Sequence, residues 1–524
     1  MHGIVKPSLI VTCFVPAVPE PGETSSHAYL SRLWDACGRL GMTAEFGGLP
    51  LPAEPFAGPV LPATDFTVLA AGAREAGPGI HAAFVFAEHD VLGLVALLAP
   101  NDLDAGPGQW DTLLDEWTAA STAAGVTGPP PAGILGEFRV FTALHRSESP
   151  RSRQSISELV RRHAPLSGED DGNDGNDGYD ETWWRGHDVT DHGFSVWRTG
   201  RGGPGDLVTH FCLLAPVRAE RALDEWAWAA EGESGLRPLT HYLMHAAKVG
   251  YESRRYDEFV AREPLHARRA HSDRETLALL RALQPGTSGE PVSLRAVLAA
   301  AAVLERTQLG PHGALWTITQ HRELIRTVAI AIGNMRLHAP RLRRVGAGSS
   351  WPERDLAAAE TLIAQIEDDL EYLSAARERA EAARAAATAV TDRALSEYRN
   401  RLSLVQTSVL GSVLAALTVV QTLDYHLPLP RAAQSPTILV LTAVALFLPL
   451  AVLRQAAIST VALPYRWIDT AASGLLGSSL CWLAMTAWSL HRGDGLLPAV
   501  VTAPSCLAVG LAAALVYHRA DRRS

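Results

Sequence analysis

The residues with the densest chemical potential are His187, Asp188, Asp191 and His192, which follow Trp183 and Trp184 within one short stretch. Imidazoles and carboxylates at that density are zinc-capable, but two histidines lack a third ligand at a set spacing. His241 and His245 stand four apart on a helical pattern and so share a face, where packing or an interface is the simpler role. Cys212 beside His210 invites a thiol–imidazole nucleophile. Strand alternation puts both on one face next to the apolar Leu213–Pro216, which favours core packing. Gly168–Glu181 (GEDDGNDGNDGYDE) looks like a calcium loop, yet no register fits, because Asp171 in the first position puts a glycine in the fifth. An acidic, glycine-rich linker explains it better.

Other catalytic signatures are missing. The only lysines among 46 basic residues are Lys6 and Lys248; neither follows a glycine, so no P-loop exists. There is no His-Glu dipeptide for a zincin and no GxSxG elbow. The five cysteines, Cys13, Cys37, Cys212, Cys481 and Cys506, form no CxxC pair and no disulfide framework. No residue is therefore assigned as catalytic, cofactor-binding or metal-ligating, no cofactor is expected, and the chain reads as a non-enzyme.

These side chains must be positioned by an α+β region. Ser8–Val15 reads as a strand, His27–Leu40 as a helix, and Leu49–Pro62 as a proline-rich loop. His81–Phe86 and Leu92–Leu98 read as strands joined by a tight turn at His89-Asp90, Trp110–Ala120 as a helix, and Leu135–Leu144 as a strand. That order is ferredoxin-like. LLAP followed by LDEW occurs at Leu97–Pro100 with Leu114–Trp117, and again at Leu213–Pro216 with Leu223–Trp226. The repetition suggests two related β-β-α lobes packed together, over 1–147 and 183–262, separated by an acidic linker at 148–182. Residues 263–350 read as helical, with a capping box at Ser272–Glu275 and further helices opening at Ser293 and spanning Leu315–Met335. A long connecting helix is expected over 351–402, with Leu356, Ala359, Ile363, Ile366, Leu370 and Leu373 at coiled-coil spacing.

The net charge of −10 and mean hydropathy of +0.05 argue against a nucleic-acid binder and conceal an uneven chain. Seven Arg and four Asp leave 403–524 at +3, and 1–402 at −13. Four uncharged runs, Ser403–Leu423, Pro436–Leu453, Thr470–Leu490 and Leu496–Tyr517, have the length expected of transmembrane helices. Arginine placement between them puts both termini in the cytoplasm of a multi-pass inner-membrane protein. Mid-span charges are missing, so the four-helix unit reads as an anchor rather than a pore. The opening residues lack the features of a signal peptide.

The opening GIVKPSLIVTCFVP, then HAYLSRLWDACGRLGM (His27–Met42), and TITQHRELIRTVAIAIGNM (Thr317–Met335) before a long helix resemble the caspase and TPR-repeat-associated (CATRA) proteins of bacterial conflict systems. The resemblance implies a non-enzymatic sensor or adaptor working with a caspase-like peptidase and TPR-repeat proteins, and carries over no functional residue. Cytoplasmic partner recognition would then be coupled to the membrane bundle, with membrane lipid as a further contact and self-association an option. The alternative is a CorA-like cation channel or a membrane-permeabilising effector, although Asp424-Tyr-His follows the first run where the channel family carries Gly-Met-Asn.

Overall fold

The computed structural model describes residues 4–19, 23–46, 63–75, 77, 79–100, 108–146, 152–164, 187–199, 207–228, 235–262, 264–285, 292–310, 313–345, 348–426, 430–456, 466–492 and 499–523. The chain divides into two units, Met1–Arg269 with Ala314–Ala375, and Ala270–Gly313 with Ala376–Ser524.

The first unit is built on one mixed sheet. Its strands are β1 (Ile4–Pro16), β2 (Ala44–Glu45), β3 (Ala63–Ala73), β4 (Ile80–His89), β5 (Val91–Ala99), β6 (Gly136–His145), β7 (His187–Thr190), β8 (Ser195–Thr199), β9 (Val208–Pro216) and β10 (Leu342–Val345). They stand in the order β10-β7-β8-β9-β6-β1-β5-β4-β3-β2. All neighbours are antiparallel except β6 and β9, which run parallel from Glu137↔Val208 to His145↔Pro216. β1 reads as a nearly continuous apolar run because it is central, paired with β5 and β6 and buried on both faces.

Alternate residues of β1 feed two cores. Leu9, Val11, Cys13 and Val15 pack under α1 (Ser25–Arg39), α2 (Gln109–Ala123) and α3 (Ser152–His163), which supply Leu30, Leu33, Trp110, Trp117 and Val160. Ile10 and Phe14 face the other way. There α4 (Glu220–Ala227), α5 (Pro238–Arg262), α8 (Ala314–His338) and the start of α9 (Trp351–His426) bring Leu223, Tyr242, Leu243, Val328, Met335 and Trp351. Gly93 in β5 is required by this packing, since a Cβ there would lie 2.3 Å from the Phe86 ring.

The expectation of two packed β-β-α lobes is corrected. The parallel pairing of β6 with β9 fuses both strand groups into one sheet. The two LDEW helices are not equivalent either. Trp117 of α2 is buried on the α1 side, while Leu223 of α4 is buried on the opposite face. The reason is topological: α2 returns the chain to β6 in the same sheet, whereas α4 hands it on to the helical layer. β3 and β10 escape the alternation rule, because β3 is rich in alanine and β10 (LRRV) carries two arginines at an edge.

The second unit contains α7 (Leu294–Leu309), α10 (Arg431–Ala456), α11 (Arg466–Arg492), α12 (Ala499–Arg523), and the portions of α6 (Leu265–Ala282) and α9 that fall within its limits. Leu279, Val297 and Leu304 pack against Ala380, Ala383 and Ala387, the alanine-rich face of α9. Ser293 caps α7 by accepting the Ala296 N–H at 3.4 Å. Ser272–Glu275 opens no helix: α6 begins at Leu265, and the buried Ser272 hydroxyl accepts instead from Gln308 Nε2 at 2.9 Å.

The expected transmembrane unit and inner-membrane location do not hold. Among the described residues no helix is long and apolar enough to cross a membrane. The Thr470–Leu490 run is diluted by serines and threonines, and Ser473, Ser479 and Thr486 bond back to their own helix. α11 and α12 approach so closely that a Cβ on Gly510 would lie 2.9 Å from the Gly474 carbonyl. The first run is no separate element but the end of α9, which continues to His426. With no such helix among the described residues, the arginine orientation argument has nothing to act on.

Candidate functional site

Two polar joints in the first unit tie the sheet to its helical layer. The first lies at the β4–β5 turn. The pair Glu88↔Val91 closes the hairpin around His89 and Asp90, with His89 at φ +52°, a region that L residues seldom adopt. This tight turn presents Glu88 and Asp90 to α5. His241 Nε2 lies 2.9 and 3.1 Å from the two Glu88 oxygens. Its ring stacks on His338 of α8, with centroids 4.4 Å apart at 21°, and lies parallel to His245 at 6.4 Å and 8°. One helical turn on, the Lys248 ammonium donates to the Asp90 carboxylate. Helical spacing at 241, 245 and 248 makes this possible, since these positions share one face.

Burial favours the neutral form of two rings in the stack. Burial drives the His245 pKa down to about 3, helped by Lys248, His241 and His338 and opposed by Asp90. Burial also lowers His338, with His241 acting in the same direction and Glu88 against it. With His245 and His338 held toward the neutral form, charge repulsion within the stack is limited, and protonation of His245 in acid would oppose it. Among the described residues no group of three or more His, Cys, Asp or Glu is placed to hold a metal ion.

The second joint holds the start of α9. Ser350 and Glu353 form the capping box there, with the Ser350 N–H donated to Glu353 Oε2 at 2.7 Å. Asp188, on β7 and buried, accepts the Trp351 N–H at 3.0 Å and lies 3.5 Å from Arg344 Nη1. Burial raises the Asp188 pKa, while the Trp351 N–H, Arg344 and Arg354 oppose the rise. Arg198 of β8 pairs with Asp355, which also accepts the Tyr242 hydroxyl at 3.1 Å. Trp351 meets Tyr242 edge-on, 4.6 Å away at 89°, and Phe211 at 5.3 Å and 70°.

The zinc-capable cluster is thus split. His187 and Asp188 are buried on β7, with His187 stacked 4.8 Å from Trp197. Asp191 and His192 sit in the exposed turn before Phe194. Trp183, Trp184 and Gly168–Glu181 lie outside the described residues. Cys212 is fully buried in the core under α1–α3, where burial pushes its thiol far above the ordinary range. His210 is held at about 4 by burial and the nearby Arg139, and stacks on Phe141. Neither lysine is idle: Lys6, at φ +51° in a β-bulge, pairs with Glu220 at 2.5 Å. Sequence reasoning missed Glu88, His338, Arg198, Tyr242, Trp351 and Asp355. Their partners lie 97 to 163 residues away, beyond any local spacing rule.

Residues 8–231 match CATRA-N, the caspase and TPR repeat-associated N-terminal domain, and residues 237–380 match CATRA-C, the corresponding C-terminal domain. The chain belongs to the CATRA family. It is thereby a conflict-system-associated protein, with caspase and TPR-repeat association carried in the names of both domains. No curated protein and no solved structure matches the chain. The two joints now have a common description. Glu88, Asp90, Asp188 and Arg198 belong to CATRA-N, and His241, His245, Lys248, His338, Trp351 and Asp355 to CATRA-C. Each joint welds the CATRA-N sheet to the CATRA-C helices.

Proposed function

We propose that this CATRA chain is a non-enzymatic recognition component of its conflict system, a binding body that acts through a caspase-like peptidase and TPR-repeat proteins. The observation that carries the reading is the fate of the ionisable groups. Cys212, the best nucleophile candidate, is fully buried with its thiol protonated, and its neighbour His210 is occupied in a ring stack. Thiolate is the reactive species, so such a cysteine is inert. Glu88, His241, Asp90, Lys248, Arg198 and Asp355 are spent joining the CATRA-N sheet to the CATRA-C helices. A sheet and helices held together by such joints suit recognition, because binding them loses little conformational entropy.

The test uses the full chain with a caspase-like peptidase and a TPR-repeat protein from the same genome. The expected result is a complex that survives gel filtration, no peptide or ester hydrolysis by the chain alone, and unchanged complex formation with Cys212→Ala. Turnover by the isolated chain that disappears in Cys212→Ala would overturn the reading.

A further inference from the structure

α5 and α8 also enclose a cavity of about 220 Å³ that neither joint uses. Its walls are aromatic. Phe259 and Trp316 have centroids 6.5 Å apart at 38°, and His321 stands edge-on to Phe259 at 5.1 Å and to Tyr256 at 5.9 Å. Trp316 is 41% exposed and reaches the cavity from the protein surface. His321, by contrast, is only 3% exposed.

The imidazole is the most informative group. It hydrogen-bonds to the Thr317 backbone, and burial lowers its pKa, so it is neutral. Its Nε2 is buried and has no hydrogen-bond partner. With the other nitrogen bonded to a carbonyl, Nε2 is a lone-pair acceptor awaiting an N–H. Buried polar atoms are rarely left so, and each one calls for an explanation.

Charge and shape narrow the donor. Glu323, exposed at the cavity, accepts from Gln320 at 3.1 Å, and no basic side chain is paired with it among the described residues. Glu252 is paired at 3.4 Å with Arg255, which also lines the cavity, so the walls carry one acidic charge in excess. Arg268 already places its guanidinium 4.2 Å from the Phe259 centroid, so this wall takes a planar cation. The volume is below the roughly 300 Å³ at which ordinary ligand pockets begin, which suits one side chain better than a nucleotide or cofactor. A planar, weakly hydrated cation with several N–H donors meets every condition, and a compact ammonium does not stack.

We propose that this cavity binds the guanidinium group of an arginine side chain presented by a partner polypeptide. The plane stacks against Phe259 and Trp316, one N–H reaches His321 Nε2, and the charge faces Glu323. This goes beyond the adaptor reading and stands on the cavity alone.

The test is calorimetric titration of the full chain with N-acetyl-arginine amide, using the citrulline and lysine analogues as neutral and non-planar controls. Saturable binding is expected in about the millimolar range. Trp316→Ala and Glu323→Gln should each weaken it roughly 2- to 5-fold. Both positions are exposed, so both variants should keep the wild-type melting temperature. His321→Phe, which keeps a ring but removes the acceptor, should weaken binding as well. The proposal is overturned if citrulline or lysine binds as tightly as arginine. It is equally overturned if the Trp316→Ala/Glu323→Gln double variant binds like wild type, or if nothing saturates below about 50 mM.

Discussion

Acid should loosen the weld between the two CATRA domains, and His245 is where the effect is best isolated. In the folded chain this imidazole titrates near 3, for burial first and its cationic neighbours second. In the unfolded chain it titrates near its free value of about 6.5. The unfolded state therefore binds the proton first, and stability falls as pH drops below about 6.5, the loss ending only below the folded pKa. At about 1.4 kcal/mol per pH unit, the His245 contribution lost at pH 5 is about 2 kcal/mol, and the full loss near pH 3 is about 5 kcal/mol. His245→Phe keeps a flat ring in the stack and cannot take up a proton. Because His245 Nδ1 has no hydrogen-bond partner, little bonding is lost at neutral pH. Urea unfolding of both chains at pH 7 and pH 5, followed by tryptophan fluorescence, measures the difference. Wild type should lose about 2 kcal/mol more than the variant over that range. His81 and His210, each held near 4, contribute alike to both chains and cancel. An identical pH dependence, within about 0.5 kcal/mol, would refute the argument.

Other consequences are simpler to read. Gly93→Ala forces a methyl against the Phe86 ring, 2.3 Å away, and should cost about 1–3 kcal/mol in a thermal or urea melt. Asp188→Ala removes the acceptor of the Trp351 N–H and should cost about 1–2 kcal/mol, seen as faster hydrogen exchange at the first turn of α9. Cys13, Cys37 and Cys212, buried and with thiols pushed up, should resist a thiol reagent at pH 8 until urea is added, while the half-buried Cys481 and Cys506 react first.

How much was legible from the sequence differs by element. β1 and the β4–β5 hairpin show through as short apolar runs, and α1, α2 and α8 through helical apolar spacing. The family was legible too: CATRA-N covers most of the quoted N-terminal strand and all of the quoted helix segment, and CATRA-C covers Thr317–Met335. The capping box at Ser272 was misleading, because an S-x-x-E pattern inside a helix looks like one at its start. The heptad stripe on α9 is real, but Ala359 and Ile366 spend it on the chain's own helical layer. Of the site, only isolated members were visible. His241 and His245 share a face by spacing, but nothing near them in sequence points to Glu88 or His338.

The sequence alone determined the family, the scarcity of catalytic motifs, the acidic charge of residues 1–402 and the positions of the locally periodic elements. All of these depend on residue identity or on neighbours within a turn or two. Only the tertiary structure decided that β6 and β9 pair in parallel, so that two strand groups form one sheet with helices on both faces. It also decided that Glu88, His241 and His338 meet, and that Cys212 is a core thiol. It decided as well that apolar length in the C-terminal helices is no measure of a membrane span. Strand pairing, side-chain burial and the pKa values that follow from it depend on residues a hundred or more positions apart, and no local pattern encodes that distance.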